Sequence, residues 1–326
     1  MMVVSTKERI LTTLMAHPDE WLSGDQLAQQ VGISRESVWK AINGLRKRGH
    51  QIASRKNRGY QYAGSQQLDE LAIQVAAGTG FDGVIQVTDQ TTSTQDLAKQ
   101  FLSQHAQPQL AAFFANQQTA GYGRLGRSFY SPSQTGLYFS LILPNPSNDL
   151  SQVGLLTTGV VVSVVKVLQR FFPTRDFGMK WVNDIFLNDH KVGGIITEAS
   201  MELESTSASA FIVGVGLNLT TATFPRELTA IAQGIDPQAN VDRNRLAAAL
   251  LSELVAAYQQ YPTTAFLPFY RDKSVVLGRA VTLQVGQRTV NGTASAIDDQ
   301  GGLVLQLPNG QHQSFTSGEV TRIRQA

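Results

Sequence analysis

The stretch Gly121-Tyr122-Gly123-Arg124-Leu125-Gly126-Arg127 carries three glycines and two arginines in seven residues, between the strand-like runs 112–118 and 137–143. Glycine lets a backbone approach a ligand closely, and arginine presents a fixed fork of donors to a carboxylate or phosphate. We therefore predict that this glycine-arginine loop (residues 121–127) joins two strands and holds an anion. The alternative is a flexible hairpin connection, since glycine-rich turns are common.

The glycine spacing also satisfies the G-x-G-x-x-G pattern of dinucleotide-binding folds. That fingerprint requires a helix that begins directly at the glycines, within a βαβ unit of about 30 residues. The segment that follows contains Pro132 and ends at Gly136, so it is too short and too interrupted for such a helix. A protein-kinase loop is excluded as well, because the chain has no H-R-D catalytic-loop motif. The match is therefore accidental.

The composition is that of a globular protein with room for two or three domains: 326 residues, 42% hydrophobic and 16% charged. The absence of cysteine excludes disulfides, thiolate metal sites and cysteine nucleophiles, and the five scattered histidines give no metal-ligand spacing. Charges at positions 7–9 stand where a signal peptide needs an apolar core, and polar residues interrupt the apolar run 153–172 as in a buried helix. We therefore expect a cytoplasmic protein with no membrane partner.

Positive charge is concentrated at the N-terminus. Residues 1–64 hold ten lysines and arginines against five acids, so this segment carries +5 within a chain of net charge +2. A basic N-terminal segment followed by a mildly acidic remainder indicates that the N-terminal segment binds a polyanion.

Capping signals and apolar spacing divide this segment into three helices, near 7–16, 26–31 and 35–47, followed by two short strands around a basic tip. Ser23 and Gln26 have capping-box spacing, and Ser34 is placed to cap the third helix. The order predicts a winged helix-turn-helix over residues 1–64 that binds DNA. A helical protein-interaction module with a solvated charge run is the alternative. The candidate DNA contacts are Ser34, Arg35, Ser37, Trp39 and Lys40 on the third helix and Arg55, Lys56 and Arg58 at the tip of the wing.

Residues 65–272 mix strands and helices. A strand at 84–88 leads to Ser93, which stands with Asp96 at capping-box spacing before an amphipathic helix. A helix N-terminus is also a good anion site, so a capping role and a binding role are compatible for Ser93. After a long apolar helix at 150–171, Lys180 and the pair Asn183-Asp184 lie beside a turn between strands.

Two later strands, near 191–199 and 210–219, contain glycines that mark either the close approach of a ligand or tight packing. A short helix is predicted at 224–227 and a long one at 242–261. From residue 273 the pattern changes to short strands separated by turns, beginning with 275–277, and predicts a small β-barrel over 273–326. The last segment, 317–324, is placed to return to the central domain.

Several motifs occur in a fixed order along the chain: the winged helix, Ser93-Thr94-Gln95, the segment from Gln118 to Arg127, Lys180-Trp-Val-Asn-Asp184, Val192-Gly-Gly-Ile-Ile-Thr-Glu198, Gly214-Val-Gly-Leu-Asn218 and the C-terminal barrel. Together they resemble the bifunctional biotin protein ligases that also act as biotin operon repressors. Two positions depart from the family pattern. Tyr122 replaces the first arginine of the usual G-R-G-R loop, and Val182 replaces the proline of K-W-P-N-D, which should alter stiffness more than chemistry.

The resemblance implies an α+β fold: a winged helix-turn-helix at 1–64, a class II synthetase-like domain on a mixed sheet at 65–272 and a small SH3-like β-barrel at 273–326. It implies that biotin and ATP, with Mg²⁺, form biotinyl-5′-AMP and pyrophosphate. Biotin then passes to a lysine of the biotin carboxyl-carrier domain of a carboxylase. Operator DNA and a homodimer of the adenylate-bound protein are the other implied partners.

The same resemblance assigns roles to residues of the central domain. Lys180 would bridge the biotin carboxylate and the α-phosphate, and Arg124 would hold the adenylate. The full set implied to contact biotin or the adenylate is Ser93, Thr94, Gln95, Gln118, Gly121, Tyr122, Gly123, Arg124, Gly126, Arg127, Lys180, Asn183, Gly193, Gly194, Gly216 and Asn218.

Two other functions stay open at this point. A non-catalytic, ligand-sensing transcription regulator gains support from Tyr122, which removes a positive charge, whereas Arg124 and Lys180 favour retained chemistry. A lipoate or octanoate ligase of related fold is the other, and the basic N-terminal module and the C-terminal barrel count against it.

Overall fold

The computed structural model describes residues 5–18, 20–65, 67–105, 107–145, 152–201 and 208–323. Helices within these ranges are α1 (Thr6–Ala16), α2 (Gly24–Val31), α3 (Arg35–Lys47), α4 (Glu70–Ala77), α5 (Thr94–Gln104), α6 (Val153–Phe171), α7 (Arg243–Gln260) and α8 (Leu267–Asp272). The strands are β1 (His50–Arg55), β2 (Gly59–Ser65), β3 (Val84–Thr91), β4 (Ala111–Gln118), β5 (Gly136–Pro144), β6 (Gly178–Lys180), β7 (Asp184–Leu187), β8 (His190–Met201), β9 (Ala208–Asn218), β10 (Ala280–Val285), β11 (Arg288–Ile297), β12 (Leu303–Gln306), β13 (His312–Phe315) and β14 (Glu319–Ile323).

The N-terminal unit is a helix-turn-helix with a two-stranded wing, as predicted. Ser23 and Gln26 form a reciprocal capping box at the start of α2, and the Ser34 hydroxyl accepts the Ser37 amide at the start of α3. The strands β1 and β2 pair antiparallel behind these helices. Gly59 is required where the wing passes Leu22, because a Cβ at position 59 would lie 2.0 Å from the Leu22 carbonyl oxygen.

The central unit is a seven-stranded sheet in the order β3-β4-β5-β9-β8-β7-β6, in which only β3 and β4 run parallel. Alternate residues of β4 serve two apolar clusters: Ala112 and Phe114 face the side covered by α6, and Ala111 and Phe113 face the side covered by α5. Burial on both faces explains why this strand reads as a continuous apolar run in the sequence.

The long apolar helix α6 is buried in the core, as its polar interruptions predicted. Among the described residues it is the one helix long and apolar enough to cross a membrane, and about two thirds of it (67%) is buried within the fold. Valines and leucines such as Val160, Val164 and Leu168 pack it against the central sheet.

Helices α4 and α7 connect the N-terminal unit to the central sheet. Ala72 of α4 belongs to the N-terminal apolar cluster, whereas its neighbour Ile73 belongs to the central one. At the start of α7, the Asn244 side chain accepts the Asp69 amide at 2.8 Å and donates to the Gln67 carbonyl at 2.9 Å. The helix-turn-helix is therefore joined to the central unit through polar and apolar contacts.

The C-terminal unit is a five-stranded antiparallel sheet in the order β13-β12-β11-β10-β14. Its final strand β14 pairs with β10, and the sheet also contacts the central unit, because the Trp181 indole donates to the Gly301 carbonyl at 3.0 Å. The predicted return of the C-terminal segment to the central unit is confirmed by the contacts of Gly318 and Glu319 with the glycine-arginine loop.

Two predictions of secondary structure were wrong. Residues 224–225 are irregular and turns follow at 226–230 instead of a helix, because so short a segment gains too few hydrogen bonds to offset the cost of helix nucleation. Residues 275–277 are not a strand, since the chain bends after a single bridge between Ser274 and Met179 and buries Val276.

Candidate functional site

The glycine-arginine loop connects β4 to β5, and no α-helix follows it, which confirms that the dinucleotide match is accidental. The loop closes on itself: the Phe129 amide donates to the Gly121 carbonyl and the Gly123 amide to the Arg127 carbonyl, both at 2.8 Å. Glycine at position 121 leaves room for the Gln118 amide, because a Cβ there would lie 2.7 Å from its side-chain nitrogen and 3.0 Å from the Phe129 carbonyl oxygen.

A cavity lies beneath this loop, between the N-terminus of α5, the turn from β6 to β7, and the strands β8 and β9. Most of the predicted ligand contacts line it: Ser93, Thr94, Gln95, Gln118, Tyr122, Gly123, Arg124, Arg127, Lys180, Asn183, Gly194 and Gly216. Gly121, Gly126 and Gly193 are not part of its lining, and Asn218 lines an adjacent second cavity. The fold thus brings together five motifs that are far apart in the sequence.

Polar groups define the inner end of the cavity. The Gln118 carboxamide oxygen accepts the Thr94 amide at 2.8 Å, and the Gln118 nitrogen donates to the Ser131 hydroxyl at 2.9 Å. The Thr94 hydroxyl lies 2.9 Å from that of Ser140, which sequence reasoning missed. Ser93 caps α5 as expected, but its hydroxyl accepts the Gln95 amide, so the predicted capping box with Asp96 does not form. Asp96 instead accepts hydrogen bonds from two hydroxyl groups.

Two lysines meet one carboxylate at the mouth of the cavity. The Lys180 ammonium lies 3.6 Å from one oxygen of Asp184, and the Lys191 ammonium lies 2.6 Å from the other. The Lys180 side chain is only 16% exposed and its ammonium lies 5.3 Å from the centre of the Phe186 ring, so it is more buried than a surface loop lysine would be. Lys191 was not among the predicted site residues, although it directly precedes the glycine-containing strand segment that lines the same cavity.

Arg124 ties the loop to the C-terminal sheet. Its guanidinium donates to the Gly318 carbonyl at 3.0 Å and to the Asn183 side-chain oxygen at 3.4 Å. Burial lowers the pKa of Arg124, and the nearby Asp184 and Glu319 carboxylates oppose that shift. Arg127 forms an ion pair with Glu319, a residue that the motifs did not indicate. The cavity is therefore bounded by two sheets.

The second cavity shares Lys180, Asp184 and Lys191 with the first. It is more apolar and extends under Phe224 and Ile231, with Asn218 at its inner wall. The Asn218 side-chain oxygen is buried and has no hydrogen-bond partner among the residues that the structure describes. Two chambers that meet at a pair of lysines suit a ligand with two parts joined through anionic groups.

The predicted DNA contacts lie at the surface of the N-terminal unit, on α3 and at the tip of the wing. Trp39 is 56% exposed on α3, and Arg35 and Lys40 make exposed ion pairs with Asp25 and Glu36. Ser34 is exposed and Ser37 half-buried, while Arg55, Lys56 and Arg58 are all exposed at the tip of the wing. The surfaces of α3 and the wing thus expose cations and one aromatic ring.

Comparison with known proteins shows the same three-part order. The chain matches the profile of an HTH domain at residues 6–61, of the Biotin/lipoate A/B protein ligase family at 87–218 and of the Biotin protein ligase C terminal domain at 276–321. It is 32% identical to the bifunctional ligase/repressor BirA of Bacillus spizizenii over 309 residues, which cover 91% of this chain and 93% of that protein. The chain belongs to the bifunctional biotin ligase/repressor family.

A further relative and a solved structure also resemble this chain, and both are biotin ligases. The biotin–[acetyl-CoA-carboxylase] ligase of Mycobacterium tuberculosis is 30% identical over 268 residues, covering 79% of this chain and 96% of that protein. The solved biotin protein ligase from Aquifex aeolicus, in complex with biotin and ATP, superimposes with a TM-score of 0.64 at 25% identity. That match covers 76% of this chain and all (100%) of the other.

Proposed function

We propose that this member of the family is a biotin protein ligase and a DNA-binding repressor. The observation that carries the ligase activity is the meeting of two chambers at Lys180, Lys191 and Asp184. Biotin fills the cavity beneath the glycine-arginine loop (the inner chamber), with its head group at Gln118 and Thr94. ATP fills the second cavity (the outer chamber), beside Asn218.

The first reaction joins two anions. A biotin carboxylate oxygen attacks the α-phosphorus of ATP, a P–O bond to the β-phosphate breaks, and pyrophosphate leaves with the electron pair. Lys180 bridges the carboxylate and the α-phosphate, and Lys191 adds a second cation, so that their fixed charges offset the repulsion between the reactants. Arg124 and the amides near Gly123 hold the adenylate beneath the loop.

The second reaction transfers biotin to protein. A lysine amine of a biotin carboxyl-carrier domain attacks the acyl carbon of biotinyl-5′-AMP, and AMP leaves. This acceptor is supported by the relative that is a biotin–[acetyl-CoA-carboxylase] ligase. The loop that covers the mixed anhydride keeps water away from it until the acceptor arrives.

Mg²⁺ is the expected companion of ATP. The described residues contain no group of three or more His, Cys, Asp or Glu side chains that could hold a metal on their own. This fits Mg²⁺, which is commonly held by one or two carboxylates, water and the substrate phosphates. Asp184 is the carboxylate placed to assist, and Mg²⁺ would neutralise phosphate charge when ATP is bound.

We propose three units, a winged helix-turn-helix at 1–64, the ligase domain at 65–272 and an SH3-like barrel at 273–326. The order β13-β12-β11-β10-β14 supports the last of these. The protein acts in the cytoplasm, and the adenylate-bound form is a homodimer that binds operator DNA through α3 and the wing. Sedimentation with and without biotinyl-5′-AMP tests the dimer, and a monomer in both conditions would contradict it.

One assay separates the ligase from the two alternatives. The chain is incubated with ATP and a carrier domain, together with biotin, lipoate or octanoate, and pyrophosphate release and modified carrier are measured. Biotin-dependent labelling of the carrier, detected with avidin, is the expected result. Labelling only by lipoate or octanoate would assign the other ligase class, and ligand binding without pyrophosphate release would assign a non-catalytic regulator.

A further inference from the structure

Leu125, at the tip of the glycine-arginine loop, exposes an apolar side chain to solvent. It is 81% exposed, which is more than any other large hydrophobic side chain that the structure describes. Part of it nevertheless borders the cavity beneath the loop, so the leucine stands at the mouth of the inner chamber. A single exposed leucine is common on protein surfaces, so its exposure alone assigns no function.

The backbone of Leu125 has a conformation that leucine rarely adopts. Its φ is 57° and its ψ is 27°, in the left-handed region that disfavours residues other than glycine, asparagine and aspartate, because the Cβ comes too close to the carbonyl oxygen. Strain of this kind persists only where the surrounding contacts over-determine the backbone, and it is concentrated at functional sites. The position of Leu125 is therefore imposed by the loop and not chosen by its own backbone preference.

Contacts on both sides of Leu125 hold the turn in place. The Arg124 guanidinium donates to the Gly318 carbonyl at 3.0 Å, and Arg127 forms an ion pair with Glu319. The Arg127 amide also donates to the Arg124 carbonyl at 3.3 Å, which closes the turn around the leucine. A partner that buries this side chain therefore meets a fixed turn and does not have to order the loop first.

We propose that Leu125 is a docking contact for the acceptor protein and packs against an apolar side chain that lies beside the acceptor lysine. The inference rests on the proposed ligase function, in which a carrier lysine attacks the acyl carbon of biotinyl-5′-AMP. Because that carbon lies beneath the loop, a folded acceptor that brings its lysine into the cavity must bring its own surface against the loop tip. Burial of Leu125 then favours acceptors with apolar surface at this point over other proteins that expose lysines.

The test separates docking of the acceptor from the chemistry. Leu125→Asn removes the apolar surface with a residue that tolerates positive φ, whereas Leu125→Met keeps an apolar side chain. For Leu125→Asn, we expect the KM for a biotin carboxyl-carrier domain to rise about 5- to 30-fold with kcat unchanged. Leu125→Met should retain the wild-type KM. The control Val84→Ser alters a 40% exposed valine on the edge strand β3 and should also leave the KM unchanged.

Two reactions that need no docked protein complete the test. Biotin-dependent exchange of pyrophosphate into ATP reports formation of the adenylate, and hydroxylamine, a small nucleophile that attacks the acyl carbon with release of AMP, reports its reactivity. Both rates should be the same in Leu125→Asn as in the wild type. Their retention would also show that the variant is folded and binds both substrates.

The other outcomes would overturn the proposal. An unchanged KM for the carrier domain in Leu125→Asn would mean that the leucine does not contact the acceptor. An unchanged KM with altered sedimentation of the adenylate-bound form would make Leu125 a contact between two copies of this chain. A change in the hydroxylamine rate as large as the change for the carrier would assign Leu125 to shielding of the adenylate. If the wild-type chain releases no pyrophosphate from ATP with biotin, the proposed ligase function itself fails, which is a different result.

Discussion

Arg124 and Gly318 are 194 positions apart in the chain, and the Arg124 guanidinium donates to the Gly318 carbonyl at 3.0 Å. The contact fastens the glycine-arginine loop to the start of β14, beside the ion pair between Arg127 and Glu319. The loop over the cavity is therefore held by the C-terminal sheet on one side and by Lys99 of α5 on the other.

Removal of Arg124 should weaken retention of the adenylate. We expect Arg124→Ala to release biotinyl-5′-AMP into solution, so that diffuse biotinylation of bystander proteins rises. The measurement is an avidin blot of a protein mixture without carrier domain, together with the dissociation rate of the adenylate. Arg288→Ala, which removes an exposed arginine of β11, is the control. Bystander labelling equal to that of the wild type would count against this role of Arg124.

The two lysines at Asp184 should both be required for adenylate formation. Lys180→Met and Lys191→Met keep much of the side-chain length, and each should lower biotin-dependent exchange of pyrophosphate into ATP by about 100-fold or more. Lys273→Met, which removes a lysine paired with the exposed Asp176, should leave the rate unchanged. Exchange at the wild-type rate in Lys180→Met would refute its bridging role and leave Lys191 as the catalytic cation.

The sequence predicts those structural features whose determining contacts lie close together along the chain, and it does not predict those that depend on distant segments. The caps at Ser23 and Ser34 were predictable because capping depends on positions within one helical turn. Lys191 reaches the site only through the register that pairs it with Phe186, and Glu319 only through the pairing of β14 with β10. Neither register can be read from a segment alone. Both residues were therefore missed, although a strand was predicted at 191–199 and the segment 317–324 was expected to return to the central domain.

The DNA face can be tested through its salt dependence. Arg35→Ala and Lys40→Ala should each weaken duplex binding and reduce the slope of log K against log salt by about 0.9 for each phosphate that the removed side chain neutralises. Both side chains make only exposed ion pairs, so the fold should be unaffected. Fluorescence anisotropy over a salt series provides the measurement, with Arg170→Ala on α6 as the matched exposed control. Affinity and slope equal to wild type would contradict the assignment.

Asp69 should make the joint between the N-terminal and central units sensitive to acid. Burial alone would raise the pKa of Asp69, but His50, the Ala72 amide and Arg48 together lower it below its ordinary value of 3.8. The ionised group therefore contributes stability that is complete above pH 3.8 and is lost as pH falls through the lower folded pKa. Asn at position 69 keeps the cap on α4 but removes the charge.

We therefore expect Asp69→Asn to lower the free energy of unfolding by about 1–3 kcal/mol at pH 7. The difference from wild type should persist down to about pH 4 and shrink below it. Urea unfolding over a pH series measures this, and Asp176→Asn, which alters an 86% exposed carboxylate, serves as the control. A difference that grows as the pH falls would mean that Asp69 is stabilised in its protonated form, contrary to its ion pair with Arg48.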